Sequence, residues 1–282
     1  MKHTDGYLEI RHSEARGSSR LYEQCWEPET DCRAAVLLVH GLGEHSSRYG
    51  HVAEHLTQRG IALQALDHYG HGKSDGLAGY VERFSVYLDG VDAALQKVQQ
   101  EHPELPLFLV GHSMGGLIAA TFLLQRQDAF RACVLSGPAF KSDQAPPAVV
   151  IAIIRLLALL APTLPLLQLD ASGVSRDPAV VDAYLRDPLV QHGKLSARLL
   201  AQMSAAMRST LEKAADITIT VLLMHGEDDQ LTSPSGSTEM YERVESVDKM
   251  LKTYPGLFHE IFNEPEQETV LTDMSKWLEA HL

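Results

Sequence analysis

The reading turns on Leu107-Phe108-Leu109-Val110-Gly111-His112-Ser113-Met114-Gly115-Gly116-Leu117-Ile118-Ala119-Ala120. Its first four residues form a short apolar run of the kind a fully buried strand shows, and the residues from Leu117 to Gln125 carry a helical pattern. Between them lies Gly-x-Ser-x-Gly. In this setting a serine at the tip of a sharp strand-to-helix turn projects its hydroxyl above the carboxyl edge of a sheet. The glycines are needed for steric reasons. The backbone at such a tip is strained, and side chains at Gly111 and Gly115 would collide with adjacent elements. The helix that follows turns unpaired N–H groups toward the point where negative charge would develop. Taken alone, the segment is only a glycine-rich turn holding a serine; the flanking strand and helix make Ser113 a candidate nucleophile.

A serine hydroxyl needs a base to take its proton and an acid to hold that base. On a sheet of this type the chain order is serine, acid, histidine. The apolar run Ile219–Met224 ends in His225-Gly226-Glu227-Asp228-Asp229, and Met250–Tyr254 leads to Pro255-Gly256-Leu257-Phe258-His259. Asp229 is preferred to Asp228 because it closes a Gly-x-x-Asp turn. Fourteen histidines weaken any argument from residue type alone, so position decides. Beyond Asp229 only His259 and His281 remain, and His281 is the penultimate residue of the expected terminal helix. For the oxyanion, Met114 N–H follows the serine. Leu42 N–H lies in Val39-His40-Gly41-Leu42-Gly43, a glycine-rich loop after an early strand.

Working outward, buried-strand runs recur at Ala34–Val39, Ile61–Leu66, Leu107–Val110, Ala132–Leu135, Ile219–Met224 and Met250–Tyr254. Helical patterns cover His51–Arg59, Phe84–Glu101, Met114–Gln125, Pro234–Val247 and Glu266–His281. The two runs Tyr7–Ile10 and Arg20–Trp26 flank the turn-prone Ala15–Ser19 and read as an antiparallel hairpin. Strand–helix alternation implies the α/β class, with a mostly parallel central sheet covered by helices on both faces. The alternation fails between Pro138 and Asp216, which shows helical patterns and no convincing strand. The expected organisation is therefore a body of residues 1–137 and 217–282, with residues 138–216 inserted as an α-helical cap.

The 282 residues carry a formal net charge of −13 and no Lys/Arg-rich run, so nucleic acid is not an expected partner. Three cysteines, Cys25, Cys32 and Cys133, without Cys-x-x-Cys spacing, fit neither a disulfide framework nor a zinc knuckle. They point to a reducing, cytoplasmic compartment. Met1 to Gly6 lacks the apolar core of a secretory signal. The apolar stretch Pro146–Leu169 is interrupted by Arg155, Pro162 and Pro165, too early for a spanning helix. Within it, Ala148–Ile154 and Leu156–Ala161 are apolar around most of a helix. That helix either lines an acyl tunnel or meets a membrane surface, or it packs in an ordinary way against the body. The acidic charge argues against electrostatic adhesion to anionic lipid. His51-Val52-Ala53-Glu54-His55 matches a zinc pattern but reads as an amphipathic surface helix. No cofactor or metal is required, and oligomeric state is not encoded in any readable pattern.

The chain resembles the α/β-hydrolase superfamily and, within it, the monoacylglycerol lipase and lysophospholipase group. The resemblance is carried by His40-Gly41-Leu42-Gly43-Glu44-His45-Ser46-Ser47-Arg48-Tyr49, by Asp67-His68-Tyr69-Gly70-His71-Gly72-Lys73-Ser74-Asp75-Gly76, and by the segment around Ser113. Later matches run through Ser175–Pro178, Ala183–Leu189, Gly226–Leu231 and Gly256–Glu264. The resemblance implies hydrolysis of a lipid monoester, most readily a monoacylglycerol, to a fatty acid and glycerol. It further implies an acyl chain under a mobile apolar cap, with the glycerol head near Ser113. Glu44, Arg48 and Tyr184 would lie near the polar head group. Lysophospholipase or broad carboxylesterase activity is the alternative, and a hydrolase-like binding protein without turnover a more distant one. Similar enzymes contact glycerol through a second histidine three positions beyond the catalytic one; here that position is Phe262.

Overall fold

The computed structural model describes residues 1–15, 17–143 and 147–282. Arg16, within the expected hairpin turn, and Pro146, the start of the long apolar stretch, lie outside the described residues. Among the described residues ten strands and eight helices follow in order. The strands are β1 (Lys2–Arg11), β2 (Ser18–Glu27), β3 (Ala34–Val39), β4 (Ile61–Leu66), β5 (Leu107–His112), β6 (Ala132–Ser136), β7 (Pro165–Leu167), β8 (Leu195–Ser196), β9 (Thr220–Gly226) and β10 (Lys249–Tyr254). The helices are α1 (Gly50–Thr57), α2 (Ser85–Glu101), α3 (Met114–Arg126), α4 (Ala148–Leu160), α5 (Pro178–Arg186), α6 (Ala197–Glu212), α7 (Pro234–Arg243) and α8 (Gln267–Ala280).

Eight strands form one sheet in the order β1-β2-β4-β3-β5-β6-β9-β10. The last six positions are parallel, and the β1–β2 hairpin joins antiparallel through β4. The expected fold class is therefore the observed one. Continuous apolar runs arise because both faces are covered. On β3, Ala35, Leu37 and Val39 enter one core, while Ala34, Val36 and Leu38 enter the other. The first core lies under α2, α3, α6 and α7; the second lies under α1 and α8.

The parallel strands β3, β5, β9 and β10 all end at the same edge of the sheet, so the loops that follow them meet there. That convergence positions the site.

Residues 138–216 depart from expectation in one respect. They hold α4, α5 and α6, but β7 pairs antiparallel with β8 in a separate two-stranded sheet. Runs of three and two residues are too short to leave a period in the sequence. At the other end of the chain, the helix expected to reach Val247 stops at Arg243, because Val244 is extended and buried rather than helical.

Candidate active site

Ser113 connects β5 to α3 with φ 54° and ψ −120°. Among the described residues it is the sole non-glycine with positive φ, a conformation that persists only where its surroundings impose it. The surroundings do impose it: Ser113 N–H donates to Ser136 O at 2.9 Å, and Ser113 O accepts from Ala139 N–H at 3.0 Å. The flanking glycines are dictated by contact. A Cβ on Gly115 would lie 2.0 Å from Val39 O, and one on Gly111 would lie 2.5 Å from Gly115 O. These are backbone atoms that cannot move aside.

Asp229 and His259 are brought together. His259 Nδ1 donates to Asp229 Oδ2 at 2.7 Å, and both residues are buried. The carboxylate is saturated. Oδ1 accepts from Leu231 N–H at 2.8 Å and Thr232 N–H at 2.9 Å. Oδ2 also accepts from Thr232 Oγ1 at 2.8 Å and His225 Nε2 at 3.0 Å. Burial alone would raise the Asp229 carboxyl, but His259, His225 and the backbone donors hold it well below the usual carboxylate range. Burial alone would lower the His259 imidazole, and the charge and hydrogen bond of Asp229 reverse the sign, leaving it above its ordinary value. Asp228, the alternative acid, is exposed.

Ser113 and His259 line one cavity of about 1630 Å³, together with Leu42, Met114 and Glu44. Among the described residues the Ser113 hydroxyl has no hydrogen-bond partner within 3.5 Å, so the serine and the imidazole share a wall without being joined. The ring of His112 lies 4.8 Å from that of His259, and burial beside that ring pushes His112 down to about 3, keeping it neutral.

The N–H groups of Leu42 and Met114 have no protein acceptor among the described residues. The loop that carries Leu42 is pinned on both sides. Gly41 N–H donates to Glu44 Oε1 at 2.6 Å, and Gly43 O accepts from Gln191 N–H at 2.7 Å.

The residues placed by resemblance near a head group are found as one cluster. Glu44 Oε1 also accepts from Tyr49 OH at 2.7 Å, and Glu44 Oε2 accepts from Arg48 at 2.9 Å. Arg48 forms two parallel bonds to Glu260, at 2.6 and 2.7 Å, and its guanidinium lies 4.8 Å from the Tyr184 ring. Glu44, Tyr184 and Glu260 line the cavity; Arg48 stands behind them. Burial works against the Arg48 charge, but the Glu260 and Glu44 carboxylates more than offset it and raise the group further. Phe262 is buried in the second core and is not part of the cavity wall. The histidines of the zinc-like pattern are turned onto the C-terminal segment, His51 to Phe262 O at 2.8 Å and His55 to Ser275 Oγ at 3.0 Å.

Sequence reasoning missed His225, Thr232 and Glu260. His225 was in view, four residues before Asp229 in the same run, but nothing in that spacing says that its ring turns onto the carboxylate. Glu260 adjoins His259, and its partner Arg48 is 212 positions away.

Helices α4 and α6 contribute an apolar part of the cavity wall that includes Ile154, Leu157, Met203 and Met207. Ala158 is the one residue of α4 that is buried; Leu159 and Leu160 are 71% and 74% exposed. Among the described residues no helix is long and apolar enough to cross a membrane.

The family model described as serine aminopeptidase, S33, matches residues 30–266. A monoacylglycerol lipase of Mycolicibacterium smegmatis is 41% identical over 266 residues, covering 94% of this chain and 95% of that protein. The human monoglyceride lipase is 31% identical, covering 96% of this chain and 91% of that protein. The crystal structure of Paleococcus ferrophilus monoacylglycerol lipase superposes with a TM-score of 0.85 at 33% identity, covering 93% of this chain and 99% of that one. The chain belongs to the serine aminopeptidase S33 family of α/β hydrolases and, within it, groups with the monoacylglycerol lipases.

Proposed function

We propose that this protein is a serine carboxylester hydrolase that cleaves monoacylglycerols to a fatty acid and glycerol. Ser113 attacks the ester carbonyl, and His259 takes the hydroxyl proton and returns it to the glycerol oxygen. Asp229 fixes the tautomer with Nδ1 protonated, and Leu42 and Met114 N–H receive the oxyanion. The acyl-enzyme on Ser113 is then hydrolysed by water through the same base.

The observation that carries the reading is the opening of a strained Ser113 and an Asp229-held His259 into one cavity with an apolar wall from α4 and α6. Its volume exceeds the ~300–1,000 Å³ of an ordinary small-molecule pocket, as a long acyl chain with its head group requires. The absent serine–histidine bond is compatible with this role, since such bonds tighten in the substrate complex.

Residues 138–216 act as the cap. Exposed Val149, Ile153, Leu156, Leu159 and Leu160 on α4 give the cap an apolar outer face for peripheral contact with a lipid surface. Glu44, Arg48 and Tyr184 shape the polar end next to the oxyanion loop.

The test is a chain-length series of monoacylglycerols assayed beside lysophosphatidylcholine and diacylglycerol, with Ser113→Ala as the blank. Preference for long-chain monoacylglycerol, abolished by Ser113→Ala, supports the reading. Faster turnover of lysophosphatidylcholine, or retained activity in Ser113→Ala, refutes it.

A further inference from the structure

Away from the cavity, three segments distant in sequence converge: Glu27 at the end of β2, Cys32 in the loop to β3, and His102 at the end of α2. A carboxylate oxygen, a thiol sulfur and an imidazole nitrogen, one from each, all lie within 4.8 Å of one another. We propose that these residues form a binding site for a divalent cation of the zinc class, which ties the β2–β3 loop to the end of α2.

The geometry needs little adjustment. His102 Nε2 lies 3.0 Å from Glu27 Oε1. A tetrahedral zinc ion, with N and O ligands at roughly 2.0–2.2 Å, separates them by about 3.4 Å. Rotation that separates the Glu27 and His102 groups by a few tenths of an ångström, and turns the Cys32 thiol from Ala34 O, 3.2 Å away, toward them, admits the ion. The Glu27 and His102 side chains are 31% and 14% exposed, so the ion enters from solvent without unfolding.

A second thiol, Cys25 Sγ, lies 3.4 Å from the same Glu27 Oε1 but outside the three-residue cluster, so water completes the coordination. The surrounding field favours a cation. Lys97 is shared between Glu23 at 2.5 Å and Glu101 at 3.5 Å, and among the described residues no ammonium is bonded to Glu27. A thiolate, an imidazole and a carboxylate suit zinc, and exclude magnesium and calcium, which take oxygen ligands. On binding, the Cys32 thiol releases its proton to solvent and the sulfur bonds the metal. The spacing of the cysteines conceals the site, because His102 joins Cys32 only through the fold.

The experiment titrates the reduced, full-length, metal-free protein with Co²⁺ as a spectroscopic stand-in and then displaces it with Zn²⁺. The expected result is a thiolate-to-cobalt charge-transfer band that saturates at about one equivalent, is bleached by Zn²⁺, and is accompanied by a Zn²⁺-dependent rise in Tm. Cys32→Ser and His102→Gln each weaken binding at least tenfold, whereas Cys133→Ser, a thiol buried in β6, leaves it unchanged. Both site variants are checked for folding by fluorophosphonate labelling of Ser113, and His102→Gln carries the test if Cys32→Ser does not fold. Absence of the band, or a band that survives both substitutions, overturns the proposal.

Discussion

Replacing Asp229 by asparagine keeps the side chain's shape and turns an acceptor of three hydrogen bonds into a donor. Oδ1 is fixed by two backbone donors, Leu231 N–H and Thr232 N–H, at 2.8 and 2.9 Å. An asparagine satisfies both only with its carbonyl oxygen, so its NH₂ takes the Oδ2 position and donates where a carboxylate accepted. Two of the three neighbours adapt. Thr232 Oγ1 turns its proton to Gly137 O at 3.0 Å, and His225 changes tautomer, accepting at Nε2 and donating from Nδ1 to Ser237 Oγ at 2.7 Å. His259 adapts only at the expense of the chemistry. If Nδ1 accepts, the ring proton sits on Nε2, the nitrogen that must receive the serine proton. The fold should therefore lose no more than about 2 kcal/mol, the scale of one altered buried hydrogen bond. The kcat should fall on the order of 10⁴-fold, as for the corresponding change in a serine protease. At 1.36 kcal/mol per decade that is about 5 kcal/mol in the barrier. The assay is steady-state hydrolysis of a monoacylglycerol with thermal melting in parallel, and exposed Asp228→Asn as companion, which should stay within about twofold. If Asp229→Asn keeps more than about a tenth of kcat, or Asp228→Asn loses more, the assignment of the acid is wrong.

Four further outcomes are expected. The acid limb of kcat/KM should be centred above the ordinary imidazole value of ~6.5, because Asp229 raises His259 and only the neutral ring accepts the proton; Asp229→Asn should move the limb down. The stabilities linked to the pair have opposite signs. The Asp229 contribution is present above ~3.9 and lost as pH falls through its depressed folded value, while that of His259 is present below ~6.5 and lost as pH rises through its raised folded value. The Tm difference between wild type and Asp229→Asn should thus be largest between these limits. Glu44→Gln should lower kcat with little change in KM, because Glu44 Oε1 holds the Gly41 N–H of the oxyanion loop; a KM effect alone would assign Glu44 to substrate binding instead. Leu159→Glu with Leu160→Glu should leave Tm within about a degree, both being exposed, and reduce co-sedimentation with neutral phosphatidylcholine vesicles several-fold; unchanged sedimentation removes the membrane role of α4.

What was legible in the chain was what repeats or what sterics forbid to vary. The inner strands β3, β4, β5 and β6 could be located because each is buried on both faces and reads as a nearly continuous apolar run: Ala34–Val39 and Ile61–Leu66 fall at the expected boundaries. Ser113 could be found because only glycine tolerates the approach of Val39 O and Gly115 O to positions 115 and 111. Asp229 could be separated from Asp228 by its place in a turn. The pairing of β7 with β8 could not be read, since two and three residues carry no period, and neither could the Arg48–Glu260 pair or the His225–Asp229 bond. A polar contact leaves no mark on spacing when its partners come from different elements, or when a ring could equally turn the other way.

Topology explains why the legible part sufficed to place a site at all. Once β3, β5, β9 and β10 run parallel in one sheet, their following loops must share an edge, whatever the side chains do. Leu42, Ser113, Asp229 and His259 each lie within six residues of the end of one of those strands. The sheet therefore delivers the backbone of the site, and contacts that the pattern could not reveal, those of Glu44 to Gly41 and of His225 and Thr232 to Asp229, set its final ångström by holding the Leu42 loop and the carboxylate in place.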